Sequence, residues 1–119
     1  MKRFFRSFIY AFRGLNLMLN GERNFIIQSS IAFFVIIFGF ILKICAFEWL
    51  ILILSIILIL SLEIINSAIE TLSDAFSKEK NEQIKKVKDL SAGAVLLASI
   101  GALVIGLIIF LPKILLLFQ

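Results

Sequence analysis

The chain has 119 residues, of which 61% are hydrophobic and 17% charged, with a formal net charge of +4 and a mean hydropathy of +1.10. A chain this apolar is not disordered, and a soluble globule of this length has too little interior to hide so many apolar side chains. With one cysteine and no histidine, it carries no disulfide framework, no Cys/His zinc site and no histidine-based nucleophile, which leaves an integral membrane protein, read as all-α from the spans that follow.

Residues 1–20 are too polar to cross a bilayer. Phe4, Phe5, Phe8, Ile9, Phe12 and Leu15 recur at helical spacing, with Arg3, Arg6, Tyr10 and Arg13 on the other side. This pattern predicts an amphipathic helix lying on the membrane surface. A plain membrane anchor has the same pattern. Gly14 and Asn20-Gly21 are expected to break or turn it. Span one is predicted over residues 24–44, around the uncharged run Phe25 to Leu42, close to the roughly 20 residues a crossing helix needs. The run is long, and no small-residue cleavage site follows it, so it does not read as a signal peptide. The uncharged run from Trp49 to Leu62 is too short for a second span. It suffices only if the helix continues past Glu63 and Asn66, which gives span two as residues 48–74. A Lys-rich loop is expected over 75–87, and span three over 88–111. The whole chain, 1–119, reads as a single membrane domain.

Basic residues number five before span one, one between spans one and two, five between spans two and three, and one after span three. By the positive-inside rule, the N-terminus and the long loop are cytoplasmic and the C-terminus is outside. The excess positive charge therefore describes a membrane surface. Nucleic acid is not an expected partner, because no soluble domain remains to bind it. The loop lysines Lys78, Lys80 and Lys85 are read as charge attracted to anionic lipid. Trp49 fits an interfacial aromatic at the outer end of span two.

Glu63, Asn66, Glu70 and Asp74 are spaced by three, four and four residues. At 100° per residue they form one stripe on the helix, with Glu63 about 16 Å deeper than Asp74. A helix end emerging into water accounts for Asp74 and Glu70, but not for Glu63. A carboxylate in a bilayer is expensive and persists where it faces protein, water, a cation or another carboxylate. Glu22 before span one and Asp89 at the start of span three stand at the same rim. Hard oxygen ligands suit Mg²⁺, and neighbouring Lys and Arg suit phosphate. Together these groups suggest phosphoryl transfer to a lipid hydroxyl, although a cation or proton pathway uses similar groups.

The block Glu63-Ile-Ile-Asn66-Ser-Ala-Ile-Glu70-x-x-x-Asp74, followed by Lys88-Asp89-Leu-Ser-Ala-Gly-Ala-Val-Leu, strongly resembles the prokaryotic diacylglycerol kinase family, which includes bacterial undecaprenol kinases. Glu22-Arg23-Asn24-Phe25 supports the likeness, which runs from Arg3 to Pro112-Lys113. The resemblance implies an N-terminal surface helix and three spans in a bacterial cell membrane. It also implies a homotrimer with active sites between subunits, and transfer of the γ-phosphate of ATP, with Mg²⁺, to a lipid alcohol. No Walker A loop occurs in the chain, and this family uses none.

By the same resemblance, Glu63 is the general base towards the lipid hydroxyl. Glu22 and Glu70 hold the metal on the ATP phosphates. Asn66 orients Glu63 or a phosphate oxygen, and Asp74 stands close by. Arg3, Tyr10, Lys88 and Asp89 contact the nucleotide. Where many members have E-x-H in the loop, this chain has Glu79-Lys80-Asn81. Asn81 then hydrogen-bonds without ring stacking, and Glu79 keeps a polar contact to adenine or ribose. Ser91, Ala92 and Gly93 leave room beside the site, while Gly101 and Gly106 serve ordinary packing. Cys45 is read as an apolar filler. The Gly-Ala-Val-Leu stretch and the Ile-Phe-Leu-Pro-Lys ending lean towards undecaprenol rather than diacylglycerol. Two other readings stay open: an ion- or proton-conducting protein using the same stripe, and an inactive structural relative.

Overall fold

A computed structural model describes residues 1–76, 79 and 81–119. Four helices follow in order: α1 (Lys2–Gly21), α2 (Arg23–Ile41), α3 (Ala46–Phe76) and α4 (Glu82–Leu117). Three of them, α2, α3 and α4, are long and apolar enough to cross a membrane. In such a setting every backbone N–H and C=O must be bonded within the chain, which helices achieve. The loop lysines Lys78 and Lys80 lie outside the described residues.

The break after α1 falls at the expected Asn20-Gly21 and not at Gly14. The helix runs through that glycine, whose penalty of about 1 kcal/mol a helix of 20 residues absorbs. The turn is made by Glu22 alone. Its backbone is extended, at φ −102° and ψ 102°. Its N–H donates to the Met18 carbonyl (3.0 Å), and its own carbonyl accepts from Ile26 N–H (3.1 Å). One residue thus closes α1 and opens α2. Met18 and Phe25, on either side of it, are both buried.

The α2–α3 turn passes through Lys43 in the left-handed region, at φ 53°. Cys45 N–H then donates to Glu48 Oε1 (3.0 Å), so the third residue of α3 caps the amide that precedes the helix. Trp49 folds back onto α2. Its ring lies 4.7 Å, centroid to centroid, from that of Phe40. It fills the place where a side chain on Gly39 would stand, since a Cβ there would lie 2.7 Å from the Trp49 ring.

The expected loop 75–87 is shorter than the sequence suggested. Helix α3 continues to Phe76, and α4 starts at Glu82. Asn81 is the reason, because its Oδ1 accepts from Gln83 N–H (2.9 Å) as an N-cap. Good helix formers follow it, from Glu82 to Lys88. At the other end α4 passes through Pro112 to Leu117. The single bond that proline forfeits is outweighed by the need to keep the apolar residues after it bonded internally.

Helices α3 and α4 form the main pair. On α4 the less exposed positions include Lys88, Ser91, Val95, Ala98, Ala102, Ile105, Ile109 and Lys113, at steps of three and four. On α3 the buried residues are Leu52, Ile59, Glu63, Ser67 and Ser73. Ile44, Leu52 and Ile109 make an apolar cluster with Val35, Trp49, Ile56, Ile105 and Phe110 against it. Beside this cluster Lys113 Nζ donates to both oxygens of Glu48, at 2.9 and 2.8 Å. The outward apolar side chains, such as Phe33, Leu54 and Leu97, stay exposed and suit a lipid surround. The carboxylates of the Glu63–Asp74 stripe lie towards the opposite end of the bundle.

Candidate active site

Glu63 is 5% exposed, far below the usual exposure of a glutamate. It sits on the face of α3 turned into the bundle, and the charges of Glu22 and Glu70 both act on it. Glu22 reaches this place because the turn between α1 and α2 is a single residue. Its carboxylate makes no capping bond to its own helix. Glu70 stands two turns along α3 from Glu63 and is half-buried, while Asp74 is exposed. The stripe is therefore graded, from a buried acid to a solvated one.

Helix α4 supplies the other wall. The Lys88 ammonium pairs with Asp74. Ser91 Oγ donates to Asn66 Oδ1 (2.6 Å), and Asn66 Nδ2 donates to Glu70 Oε1 (3.3 Å). The two helices run antiparallel, so Ser91 lies deeper than Lys88. Asp74 and Asn66 are about 12 Å apart along α3, and Lys88 and Ser91 about 4.5 Å apart along α4. The length of the lysine chain makes up the difference.

Several residues singled out in the sequence meet here: Glu22, Glu63, Asn66, Glu70, Asp74 and Lys88. Asn66 bonds Glu70 and Ser91 rather than Glu63. Others stand elsewhere in a single chain. Asp89 faces away from α3 and, with Glu82, Lys85, Lys86, Gly93 and Ala94, lines an open groove on the far side of α4. Arg3 and Tyr10 are exposed on α1, where the Arg13 guanidinium lies 5.7 Å from the centre of the Tyr10 ring. Glu79 is exposed, and the Asn81 side-chain oxygen is engaged in the helix cap.

Two buried polar residues escaped the sequence reading, Ser67 and Ser73, each 8% exposed. Their signal was present. Ser67 lies four residues after Glu63, and Ser73 three after Glu70, so both extend the same stripe. Ser91, read as a small residue leaving room, uses its hydroxyl.

The donor set suits Mg²⁺ in a particular way. Among the described residues no three acidic side chains close into a cage. Magnesium is commonly held by one or two carboxylates, with phosphates and water completing its shell. Glu22 and Glu70, the two carboxylates whose charges reach Glu63, are the side chains that could contribute to such a partial site.

Below the carboxylates, towards the Trp49 end, a cavity of about 340 Å³ opens between α2, α3 and α4. Gln28, Ser55 and Ser99 are polar groups on walls otherwise built of side chains such as Ile31, Val35 and Ile59.

These features define an all-helical, three-span membrane protein with a carboxylate site at one end of its bundle. The sequence profile of the family described as prokaryotic diacylglycerol kinase matches residues 9–110. The chain is 40% identical over 113 residues to an undecaprenol kinase of Bacillus subtilis (strain 168), covering 95% of this chain and 92% of that protein. It is 35% identical over 110 residues to a diacylglycerol kinase of Synechocystis sp., covering 92% and 63%. Against a diacylglycerol kinase of Escherichia coli (strain K12) it is 30% identical over 95 residues, covering 80% and 78%. The chain belongs to the prokaryotic diacylglycerol kinase family and is a lipid kinase.

Proposed function

We propose that this kinase transfers the γ-phosphate of ATP to the hydroxyl of a membrane lipid alcohol, with undecaprenol as the favoured substrate. The observation that carries the reading is Glu63, 5% exposed at a depth that a lipid-borne hydroxyl can reach. In this reading Glu63 accepts the hydroxyl proton as the oxygen attacks the γ-phosphorus. The bond from that phosphorus to the bridging oxygen breaks, and ADP leaves. Glu22 and Glu70 would hold Mg²⁺, whose chemistry is to neutralise charge on the phosphates. Lys88, Asp89, Arg3, Tyr10, Glu79 and Asn81 contribute nucleotide contacts, with Asp74 close by. Arg3, Tyr10 and Asp89 stand apart from the carboxylates within one chain, which fits a homotrimer whose sites form between subunits.

Preference for undecaprenol rests on the 40% identity to the Bacillus subtilis undecaprenol kinase across 92% of that protein. An ion pathway has less support. The stripe of acids ends at Glu63, and from Leu62 to Trp49 the polar residues of α3 are Ser55 and Ser61. The setting is a bacterial cell membrane, with the carboxylate end cytoplasmic and the C-terminus outside.

The test is a side-by-side assay in proteoliposomes with radiolabelled Mg·ATP. Undecaprenyl phosphate should form at least about tenfold faster than phosphatidate, a ratio worth about 1.4 kcal/mol in barrier, and chelation of Mg²⁺ should stop both. A faster rate with diacylglycerol would overturn the substrate preference. Phosphorylation of neither lipid would overturn the acceptor class.

A further inference from the structure

We infer that Ser91 is a positioning residue, which orients the Asn66 amide and, through it, the carboxylate of Glu70. This rests on the proposed role of Glu70 as a carboxylate that holds the Mg²⁺ of Mg·ATP.

The geometry is a relay across two helices. Ser91 Oγ lies 2.6 Å from Asn66 Oδ1 and 3.0 Å from the Lys88 carbonyl of its own helix. One hydroxyl hydrogen serves one acceptor at a time, and the shorter contact runs to Asn66. The amide nitrogen of Asn66 is 3.3 Å from Glu70 Oε1. An amide has one acceptor face and one donor face. With its oxygen taken by Ser91, the NH₂ group is aimed at Glu70. The reverse orientation would set the amide oxygen against a carboxylate oxygen and turn the serine hydrogen back to the Lys88 carbonyl. Ser91 and Glu70 therefore favour the same amide orientation from opposite sides. Both contacts are partly buried, where hydrogen bonds are less weakened by competing water.

The consequence for Glu70 is positional. Asn66 takes Oε1, which fixes the carboxylate plane and leaves Oε2 for the cation. Alanine at position 91 keeps the helix and its small size but frees the amide to turn. Ser91 touches none of the reacting groups, so its contribution passes through Asn66.

Binding of Mn²⁺·ATP, followed by EPR on the full-length protein in lipid nanodiscs without lipid alcohol, tests this apart from turnover. Ser91→Ala should weaken binding about three- to tenfold, the scale of one hydrogen bond, and Ser91→Thr should restore it. In an Asn66→Ala background the same serine change should have no further effect. Unchanged binding in Ser91→Ala, or an equal loss with and without Asn66, would overturn the relay. Glu70→Gln is the control for the underlying reading. If it binds Mn²⁺·ATP as tightly as wild type, the assignment of Glu70 to the cation fails, and the relay fails with it. If Glu70→Gln is weakened while Ser91→Ala is not, the relay alone fails.

Discussion

A buried glutamate on an apolar helix carries a cost that packing does not repay. An acid at the centre of a spanning helix costs roughly 2.5–3.5 kcal/mol on insertion scales, and Glu63 also feels the charges of Glu22 and Glu70. In the proposed mechanism this cost is carried for function rather than for stability. Glu63→Gln keeps the shape and removes both the charge and the proton acceptor. Lipid phosphorylation should then fall by about 10²- to 10⁴-fold, the usual contribution of a general base. The thermal midpoint in detergent should hold or rise, because a costly buried charge is gone. A matching fall in the midpoint would show that Glu63 is structural.

Helix packing is decided by contacts that hydropathy does not register. Gly39 sits under the Trp49 ring, with room for a hydrogen but not for a methyl group. Gly39→Ala should destabilise the protein by about 1–3 kcal/mol, as overpacking does, and Trp49→Leu in the same chain should recover part of the loss. Thermal unfolding in detergent measures both. At the same end, Lys113 clamps α4 to the first turn of α3 through Glu48. Glu48→Gln and Lys113→Met should each lower the thermal midpoint, and the double variant should lose less than the sum. Additive losses would mean that the pair is not coupled. This clamp was not legible in the sequence, because Glu48 and Lys113 are 65 residues apart and each looks like an ordinary flanking charge.

For the whole molecule, charge asymmetry sets the expected direction across the bilayer. Ten of the twelve basic residues fall in the segments that flank the carboxylate end, and on the positive-inside rule we propose that this end is cytoplasmic. Cys45 is the single cysteine, exposed in the turn at the other end. A membrane-impermeant maleimide should therefore label Cys45 on intact spheroplasts. In a Cys45→Ala background, a cysteine introduced in place of Glu82 should react only after permeabilisation. Labelling in the reverse order would invert the topology.

The three spans and the carboxylate stripe could be read from the chain alone. Lipid exposure demands long apolar runs, and an acid within such a run stands out against them. Helical periodicity then placed Glu63, Glu70 and Asp74 on one line, with Asn66 about 60° to its side on the same stripe. Boundaries were unevenly legible: Asn20-Gly21 marked the end of α1, whereas the start of α4 depends on Asn81 as a cap. Which side chains meet was settled by the tertiary structure. Lys88 turns to Asp74 while its neighbour Asp89 faces away, since adjacent residues on a helix point about 100° apart and the crossing with α3 selects one of them. Likewise Ser91 reaches Asn66, and Glu22 comes within electrostatic reach of Glu63, because antiparallel packing and a one-residue turn bring distant positions to similar depths. Periodicity within one helix carries no information about the face its neighbour presents.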